Sequence, residues 1–186
     1  MRGLASKSQL RMSFLRWALV TVPLLVFLGA VSGRVANSGY GNPWFDALVK
    51  PAFMPPGWMF GVVWTLLYIC LGLVLAMLLN ARGARGRRLV LTLFLAQLAL
   101  NYLWSPLFFA MHETVAALAV ILVMIGLSAA AAVLLWSIRK GAALLMLPYL
   151  AWLCFAAALN FEIVRLNPDA PELVPGGASA DIPLEP

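Results

Sequence analysis

Between Glu113 and Arg139 the chain reads TVAALAVILVMIGLSAAAAVLLWSI, a run of 25 residues without a charged side chain. A helix of about 20 apolar residues crosses the hydrocarbon layer of a bilayer, which is ~30 Å thick. Four further uncharged runs, of 17 to 31 residues, flank this one. Helices and closed barrels are the structures that satisfy their backbone hydrogen bonds in lipid, and the runs show no strand-like alternation. The pattern therefore predicts an all-α integral membrane bundle of five transmembrane helices.

The charged residues also set the expected limits of the spans. The second uncharged run is the longest, but it opens with Pro51-Ala52-Phe53-Met54-Pro55-Pro56, which cannot lie inside a helix. We expect a basic extension over residues 1–16 and a disordered, proline-rich acidic tail over 167–186. Between them lies a single domain, residues 17–166, with spans at about 17–33, 57–80, 89–111, 114–138 and 141–161.

The composition excludes several classes of protein. Hydrophobic residues make up 63% of the 186-residue chain and charged residues only 11%, against ~25% charged in an average soluble domain. This excludes a soluble globular domain and a disordered chain. A net charge of +6 spread over so few charged residues also excludes a nucleic-acid binder.

The distribution of Lys and Arg predicts the orientation in the membrane. Ten of the thirteen lie in the N-terminal segment or in the loops after the second and fourth spans. The other three, Arg34, Lys50 and Arg165, lie on the opposite side. Cytoplasmic loops carry the excess of positive charge, so we expect a multi-pass protein with a cytoplasmic N-terminus and an outside C-terminus.

The first span has a second interpretation. Four basic residues, then an apolar core, then Ala30-Val31-Ser32 also fit a signal peptide with a small-residue cleavage site. Against this, Gly29 and Gly33 lie four residues apart, a spacing that lets membrane helices pack closely. A retained span and a cleaved one both remain open at this point.

The spans lack the groups that most membrane chemistry requires. None contains Asp, Glu, Lys, Arg or His in its interior, which argues against ion pumps and proton relays. No cluster of His, Cys or Asp is present to hold a metal, and no nucleophile–base pair is recognisable. We therefore predict no metal, no cofactor and no dedicated catalytic residue, and a binding protein rather than an enzyme.

Three tryptophans instead suggest a binding cavity. At 1.5 Å per residue, Trp64, Trp104 and Trp152 lie roughly 10–15 Å below the outer surface, on three different helices. Aromatic and amide side chains can also act as simple contacts between helices, and this alternative stays open for each of them. An apolar cavity with a few polar groups is the usual composition of a small-ligand site. The candidate ligand-binding residues are Phe60, Gly61, Trp64, Tyr68, Asn101, Trp104, Tyr149, Trp152, Ala156 and Leu159.

A loop on the outer side is a candidate lid over this cavity. The segment 34–56 is long, aromatic and framed by prolines, features of a loop with its own structure. Its candidate lid residues, together with the first residues of the second span, are Trp44, Lys50, Pro51, Phe53, Pro55, Pro56 and Trp58.

Four motifs, in order, give the chain a family resemblance from about Trp44 to Asn167. It resembles the TspO/MBR family, which includes tryptophan-rich sensory proteins and the translocator protein, or peripheral benzodiazepine receptor. The motifs are Trp44-Phe45-x4-Lys50-Pro51-x3-Pro55-Pro56-x-Trp58, Val63-Trp64-x3-Tyr68, Ala99-Leu100-Asn101-x2-Trp104-x-Pro106-x-Phe108-Phe109 and Pro148-Tyr149-Leu150-Ala151-Trp152-x2-Phe155-x3-Leu159-Asn160.

The resemblance implies a five-helix bundle, commonly a homodimer, that binds amphipathic ligands in the bilayer. Family ligands include porphyrins such as protoporphyrin IX, sterols and benzodiazepine-type drugs, and some members are reported to degrade porphyrin. The family's ligand contacts fall on Trp64, Asn101, Trp104, Trp152, Ala156 and Leu159, and the degradation would involve Trp64 and Trp152.

Two departures from the family pattern narrow these expectations. Phe53-Met54 replaces the Trp that many members have before the Pro-Pro pair, and residues 159–165 lack the Tyr of the sterol motif. A sterol is therefore less expected than a porphyrin. We expect a receptor or carrier for tetrapyrroles, with oxidative or photochemical porphyrin degradation and a purely structural or partner-regulating role as alternatives.

Close-packing faces for a homodimer occur at Gly72/Ala76 and at Gly126/Ala130, although packing within the chain could use either face.

Overall fold

Five long helices cross the computed structural model, which describes residues 7–173. Each is long and apolar enough to span a membrane, and the described residues include no β-strand. The all-α bundle of five transmembrane helices is thereby confirmed. A short helix, α2 (Pro43–Ala47), lies in the loop between the first two spans. The spanning helices are α1 (Lys7–Val35), α3 (Gly57–Asn80), α4 (Arg87–Ser105, continued by a π-helical turn Pro106–Ala110), α5 (Thr114–Ile138) and α6 (Lys140–Leu166).

Two helices extend beyond the hydrophobic limits expected from the sequence. Helix α1 begins at Lys7 rather than near residue 17, so residues 7–16 belong to the helix instead of a separate extension. Helix α6 continues past residue 161 to Leu166 and includes the ion pair between Arg165 and Glu162, 2.7 Å long. Charged side chains at a helix end can reach water while the backbone hydrogen bonds of the helix continue. Charged residues therefore limit the part of a helix that lies in the membrane, but the helix itself can extend further.

The five spanning helices form a closed ring. Helix α1 packs on α3, α3 on α6, α6 on α5, and α5 on α4, and α4 returns to α1. In the half of the bundle next to the α3–α4 and α5–α6 loops, the interior is filled by fully buried apolar side chains such as Leu71, Val74, Phe94 and Met146. The helices therefore meet in a solid core at one end, and the cavity described below lies towards the other.

Helix α1 lies so close to α3 that glycine is required at the contact. A Cβ on Gly72 would come within 2.6 Å of the Val22 backbone, and a Cβ on Gly29 would overlap the Tyr68 ring. The Thr21 hydroxyl donates to the Gly72 carbonyl at 2.7 Å. The Gly72/Ala76 face, considered above for a homodimer, is thus buried within the chain, whereas a Cβ on Gly126 would meet no atom within 4 Å.

The loop between α1 and α3 is folded against the C-terminal end of α6. The α2 N-cap, Asn42, accepts a hydrogen bond from the Phe45 N–H at 3.1 Å, and the Trp44 indole is almost completely buried. The Trp44 Nε1 donates to the Ala170 carbonyl at 2.8 Å. The Asn167 amide pairs with both the N–H and the C=O of Val49, at 2.8 and 2.9 Å.

These contacts correct part of the expected disordered tail. Residues 167–173 are ordered and include a 3₁₀ turn, Ala170–Glu172, because they bond to the loop rather than to solvent. The rest of that expectation, over residues 174–186, lies outside the described residues, as does the extension over residues 1–6.

Candidate ligand cavity

A cavity of about 510 Å³ lies in the half of the bundle that carries the loop between α1 and α3. All five spanning helices and the loop before α3 contribute to its walls. Small-molecule sites commonly have volumes of about 300–1,000 Å³ and mainly apolar walls with a few polar groups, and this cavity fits that description. It is the feature of the described residues that best fits a binding site.

Tryptophans from different helices meet around the cavity. The rings of Trp64 on α3 and Trp152 on α6 are in edge-to-face contact, with centroids 6.4 Å apart and planes at 86°. Trp64 also stacks on Tyr68 at 5.5 Å, and Trp104 stacks on Phe108 at 5.1 Å. These separations lie in the range where aromatic pairs attract each other beyond simple burial. The walls are therefore built largely from flat rings.

The structure brings nine of the ten candidate ligand-binding residues to this one cavity. The exception is Tyr149, which is fully buried behind the wall. The nine that line the cavity are Phe60, Gly61, Trp64, Tyr68, Asn101, Trp104, Trp152, Ala156 and Leu159.

Tyr149 belongs to a chain of hydrogen bonds that runs away from the cavity. The Tyr68 hydroxyl donates to Asn101 Oδ1 at 2.7 Å, and Asn101 Nδ2 donates to the Tyr149 hydroxyl at 3.1 Å. That hydroxyl donates in turn to Gln97 Oε1 at 2.6 Å. Asn101, expected to orient a ligand, thus already has a protein partner at each end of its amide. Its first role is to hold α3, α4 and α6 together.

Three other side chains at the cavity carry polar atoms without a partner among the described residues. The indole Nε1 atoms of Trp104 and Trp152 are buried and make no hydrogen bond. Asn160 has neither a donor for its Oδ1 nor an acceptor for its Nδ2. Buried polar groups are nearly always paired, so these atoms call for a functional explanation.

The loop between α1 and α3 covers the cavity with residues other than those expected. Phe45, Tyr40 and Met54 line it, whereas none of the seven candidate lid residues does. Trp44 instead stacks on His112, at 4.3 Å between ring centroids, and anchors the loop from behind.

The remaining candidate lid residues frame the loop or face outward. The Lys50 ammonium lies 4.9 Å from the centroid of the Phe45 ring and donates to two loop carbonyls. Pro51 and Pro55 are buried, and Pro56 caps α3. Phe53 and Trp58 are exposed, with Phe53 in edge contact with Phe155.

Sequence reasoning missed several lining residues on α1, α4 and α5. Phe108 and Phe109 face the cavity because Pro106 lacks an N–H and the following turn widens to π-helical spacing, which redirects the side chains. Val26 and Met124 also line it. The Phe-Phe pair was visible in the third motif, but residues such as Val26 and Met124 carry no signal that distinguishes them from other apolar residues of a span.

Comparisons with known proteins agree with this fold. The sequence profile of the TspO/MBR family matches residues 19–166. The chain is 38% identical over 158 residues to a tryptophan-rich sensory protein of Cereibacter sphaeroides, covering 84% of this chain and 96% of the relative. It is 40% identical over 149 residues to the tryptophan-rich protein TspO of Archaeoglobus fulgidus (80% and 96% covered). It is 37% identical over 142 residues to the human translocator protein (75% and 84% covered). With its five-helix ring and tryptophan-lined cavity, the chain belongs to the TspO/MBR family.

Proposed function

We propose that this membrane protein is a receptor or carrier for tetrapyrroles of the protoporphyrin IX type and for similar amphipathic ligands. Its role would be the transport of tetrapyrroles or the regulation of their synthesis. The observation that carries the proposal is the convergence of Trp64, Trp104 and Trp152 on one cavity within the bilayer. The name of the human relative, translocator protein, supports a carrier in this family.

The shape and chemistry of the walls favour a flat, largely apolar ligand. Aromatic rings on α3, α4 and α6 offer faces and edges for stacking, and burial of apolar surface supplies most of the affinity. Among the described residues, no Asp, Glu, Lys, Arg or His side chain lines the cavity. Charged substituents of a ligand would therefore stay at the mouth, beside Ser38 and Tyr40, while its ring system enters.

This function requires that the first span be retained. Val26, Gly29 and Ala30 form one wall of the cavity, and the Ser32 hydroxyl donates to the Tyr102 carbonyl of α4 at 2.6 Å. Cleavage after Ser32 would remove that wall and expose the Tyr68 ring. Of the two interpretations of the N-terminal segment, the proposal therefore adopts the retained helix.

Replacing single tryptophans tests the proposal. We expect Trp104→Ala and Trp152→Ala each to weaken protoporphyrin IX binding about tenfold or more, because each removes a buried apolar contact surface worth ~1.5–3 kcal/mol. The binding curve is measured from the shift of the Soret band in detergent, so the loss of an indole does not alter the signal. Trp136→Ala is the control, since Trp136 is exposed on α5 away from the cavity. Equal affinity in the wild type and in both cavity variants would refute the proposal.

A second candidate function is oxidative or photochemical breakdown of the bound porphyrin. The contact between Trp64 and Trp152, extended by the stacking of Trp64 on Tyr68, favours it because indole and phenol rings are readily oxidised. Illumination of the complex separates the two functions. Degradation is indicated if the Soret band decays with first-order kinetics in the wild type and stays constant in Trp64→Phe. A Soret band that is stable in the wild type indicates a binder. The absence of any saturable ligand would leave the structural, partner-regulating role.

A further inference from the structure

Asn160 is the most conspicuous unpaired group in the cavity wall. It lies on α6 one turn beyond Ala156, is 2% exposed, and forms no hydrogen bond through either amide atom. An unpaired buried polar group costs about 1–3 kcal/mol, and Asn160 carries one donor and one acceptor in this condition. The other cavity amide, Asn101, has partners at both ends. Asn160 therefore does not contribute to stability through hydrogen bonds that the described residues make.

The Asn160 side chain has no hydrogen-bond partner among the described residues. Its cavity neighbours on α6 are Ala156, Leu159 and Ile163, all without polar side-chain atoms. The rings of Phe108 and Phe109, which pack in one apolar cluster with Ile163, line the same cavity. Both amide atoms are covered by neighbouring side chains, so a ligand would meet them after rotation about the Asn160 side-chain bonds.

A primary amide presents its two polar atoms in one plane, with the acceptor beside the donor. The group that matches both at once bears a donor beside an acceptor in the same plane. A cyclic secondary amide (a lactam) has this edge, and so does a neutral carboxylic acid. Each would form a pair of hydrogen bonds with Asn160, whereas an ester, an ether or an N-alkylated amide could form only one.

We propose that Asn160 is a specificity-determining residue that recognises a lactam or neutral carboxylic acid edge on a flat apolar ligand. The inference rests on the proposed function, since it assumes that the cavity takes such ligands, and it adds the polar group by which they are selected. The buried unpaired amide then disfavours ligands without this edge, because they leave at least one of its two polar atoms without a hydrogen bond.

Two matched pairs of probes test the proposal on the full chain in detergent. The first pair is phenanthridin-6(5H)-one, a planar lactam, and its N-methyl derivative, which lacks the donor. The second pair is protoporphyrin IX and its dimethyl ester. Dissociation constants for each probe are measured for the wild type, Asn160→Leu and Asn160→Ala. Asn80→Leu is the matched control, because Asn80 lies at the far end of α3 and bonds to the Leu10 carbonyl.

We expect the wild type and Asn80→Leu to bind the lactam about tenfold more tightly than its N-methyl derivative, the value of one hydrogen bond at an otherwise unsatisfied group. Both Asn160 variants should bind the two compounds equally. If the recognised edge is instead a carboxylic acid, the same pattern should appear for protoporphyrin IX against its ester. The pair of probes whose two members differ in affinity shows whether Asn160 recognises a lactam or a carboxylic acid.

The stability of the variants separates recognition from a structural role. Removing an amide without partners should leave the unfolding midpoint unchanged or raise it, whereas removing a structural hydrogen bond would lower it. Equal binding within both pairs by the wild type would overturn the proposal, as would discrimination that persists in a folded Asn160 variant. Saturable protoporphyrin IX binding in that case would leave the proposed function standing, and loss of all binding in the wild type would refute both.

Discussion

Asn101 is a side chain whose position in the bundle could be predicted from the sequence, whereas its role could not. Its spacing from Gln97 and Trp104 on one helix indicates an inward-facing amide, and the structure places it at the cavity. The partners of its amide, Tyr68 and Tyr149, lie 33 and 48 residues away in the chain. No local sequence pattern shows which distant hydroxyl will hydrogen-bond to a given amide. Asn101 was therefore expected to contact a ligand, although its amide links three helices.

Breaking this link at Tyr149 should destabilise the bundle. Tyr149→Phe leaves Gln97 Oε1 and Asn101 Nδ2 without their partner in the core, and we expect a loss of about 1–2 kcal/mol in the free energy of unfolding. The measurement is unfolding in mixed micelles with increasing dodecyl sulfate. Tyr40→Phe is the control, because that hydroxyl makes a single long, partly buried bond of 3.4 Å to the Pro55 carbonyl. Equal midpoints for the two variants would contradict the proposed importance of the buried chain of bonds.

At the scale of helices, the contact between α1 and α3 depends on the absence of a side chain. The Thr21 hydroxyl reaches the Gly72 carbonyl only because the two backbones lie close together. The sequence shows small residues on these helices but does not say whether they face a neighbour within the chain or a second copy. The rotation of each helix about its axis decides this, and packing around the whole ring sets that rotation.

Gly72→Ala should therefore destabilise the protein. The added Cβ lies 2.6 Å from the Val22 Cα, a backbone atom that cannot move without shifting α1, and overpacking of this kind costs about 1–3 kcal/mol. Gly126→Ala, whose Cβ would meet open space, should leave stability unchanged or slightly higher. The same unfolding measurement compares the two variants. A stable Gly72→Ala protein would mean that α1 packs elsewhere.

The loop between α1 and α3 is an element whose position depends on the residues after α6. Asn167 bonds to both backbone groups of Val49 and also donates to the Ile163 carbonyl at 2.9 Å, which joins the loop to the helix end. A segment expected to be a disordered tail thus anchors the cover of the cavity. Its low apolar content predicted disorder, but a few directed hydrogen bonds are enough to order a short segment.

Asn167→Leu should loosen this loop without unfolding the bundle. We expect the Val49 amide to exchange with deuterium about tenfold faster or more, because its hydrogen bond is lost and local opening becomes easier. Hydrogen exchange followed by mass spectrometry measures this on the loop peptide. Asp169→Leu is the control at an exposed position two residues on. Unchanged exchange in Asn167→Leu would show that Trp44 alone holds the loop.

For the whole molecule, the charge distribution predicts the orientation. Two cysteines introduced into a variant without Cys70 and Cys154 test it: Arg85→Cys in the basic loop after α3 and Ala52→Cys in the outer loop, both at exposed positions. In intact cells, or right-side-out vesicles, a membrane-impermeant maleimide should label Ala52→Cys alone. Inverted vesicles should show the opposite pattern. Labelling of Arg85→Cys in intact cells would reverse the assigned orientation.

The number of spans followed from the sequence by itself, and so did the expectation that Trp64, Trp104 and Trp152 lie inside the bundle. Hydrocarbon imposes a condition on each segment separately: about 20 residues without charge, wound as a helix. That condition can be evaluated along the chain without knowing any partner, and the limits of α3 and α5 coincide with the charged residues or prolines that bound their runs.

Only the tertiary structure decided the order of helices in the ring, the partner of each buried amide and the residues that close the cavity. Trp44 illustrates the difference, because its indole bonds to Ala170, 126 residues away, and so anchors the loop instead of lining the site. Asn101 and Asn160 are the same residue type in similar apolar spans, yet one is paired and the other is not. Their difference arises from helix rotation and from contacts between distant segments, which depend on the packing of all five helices at once.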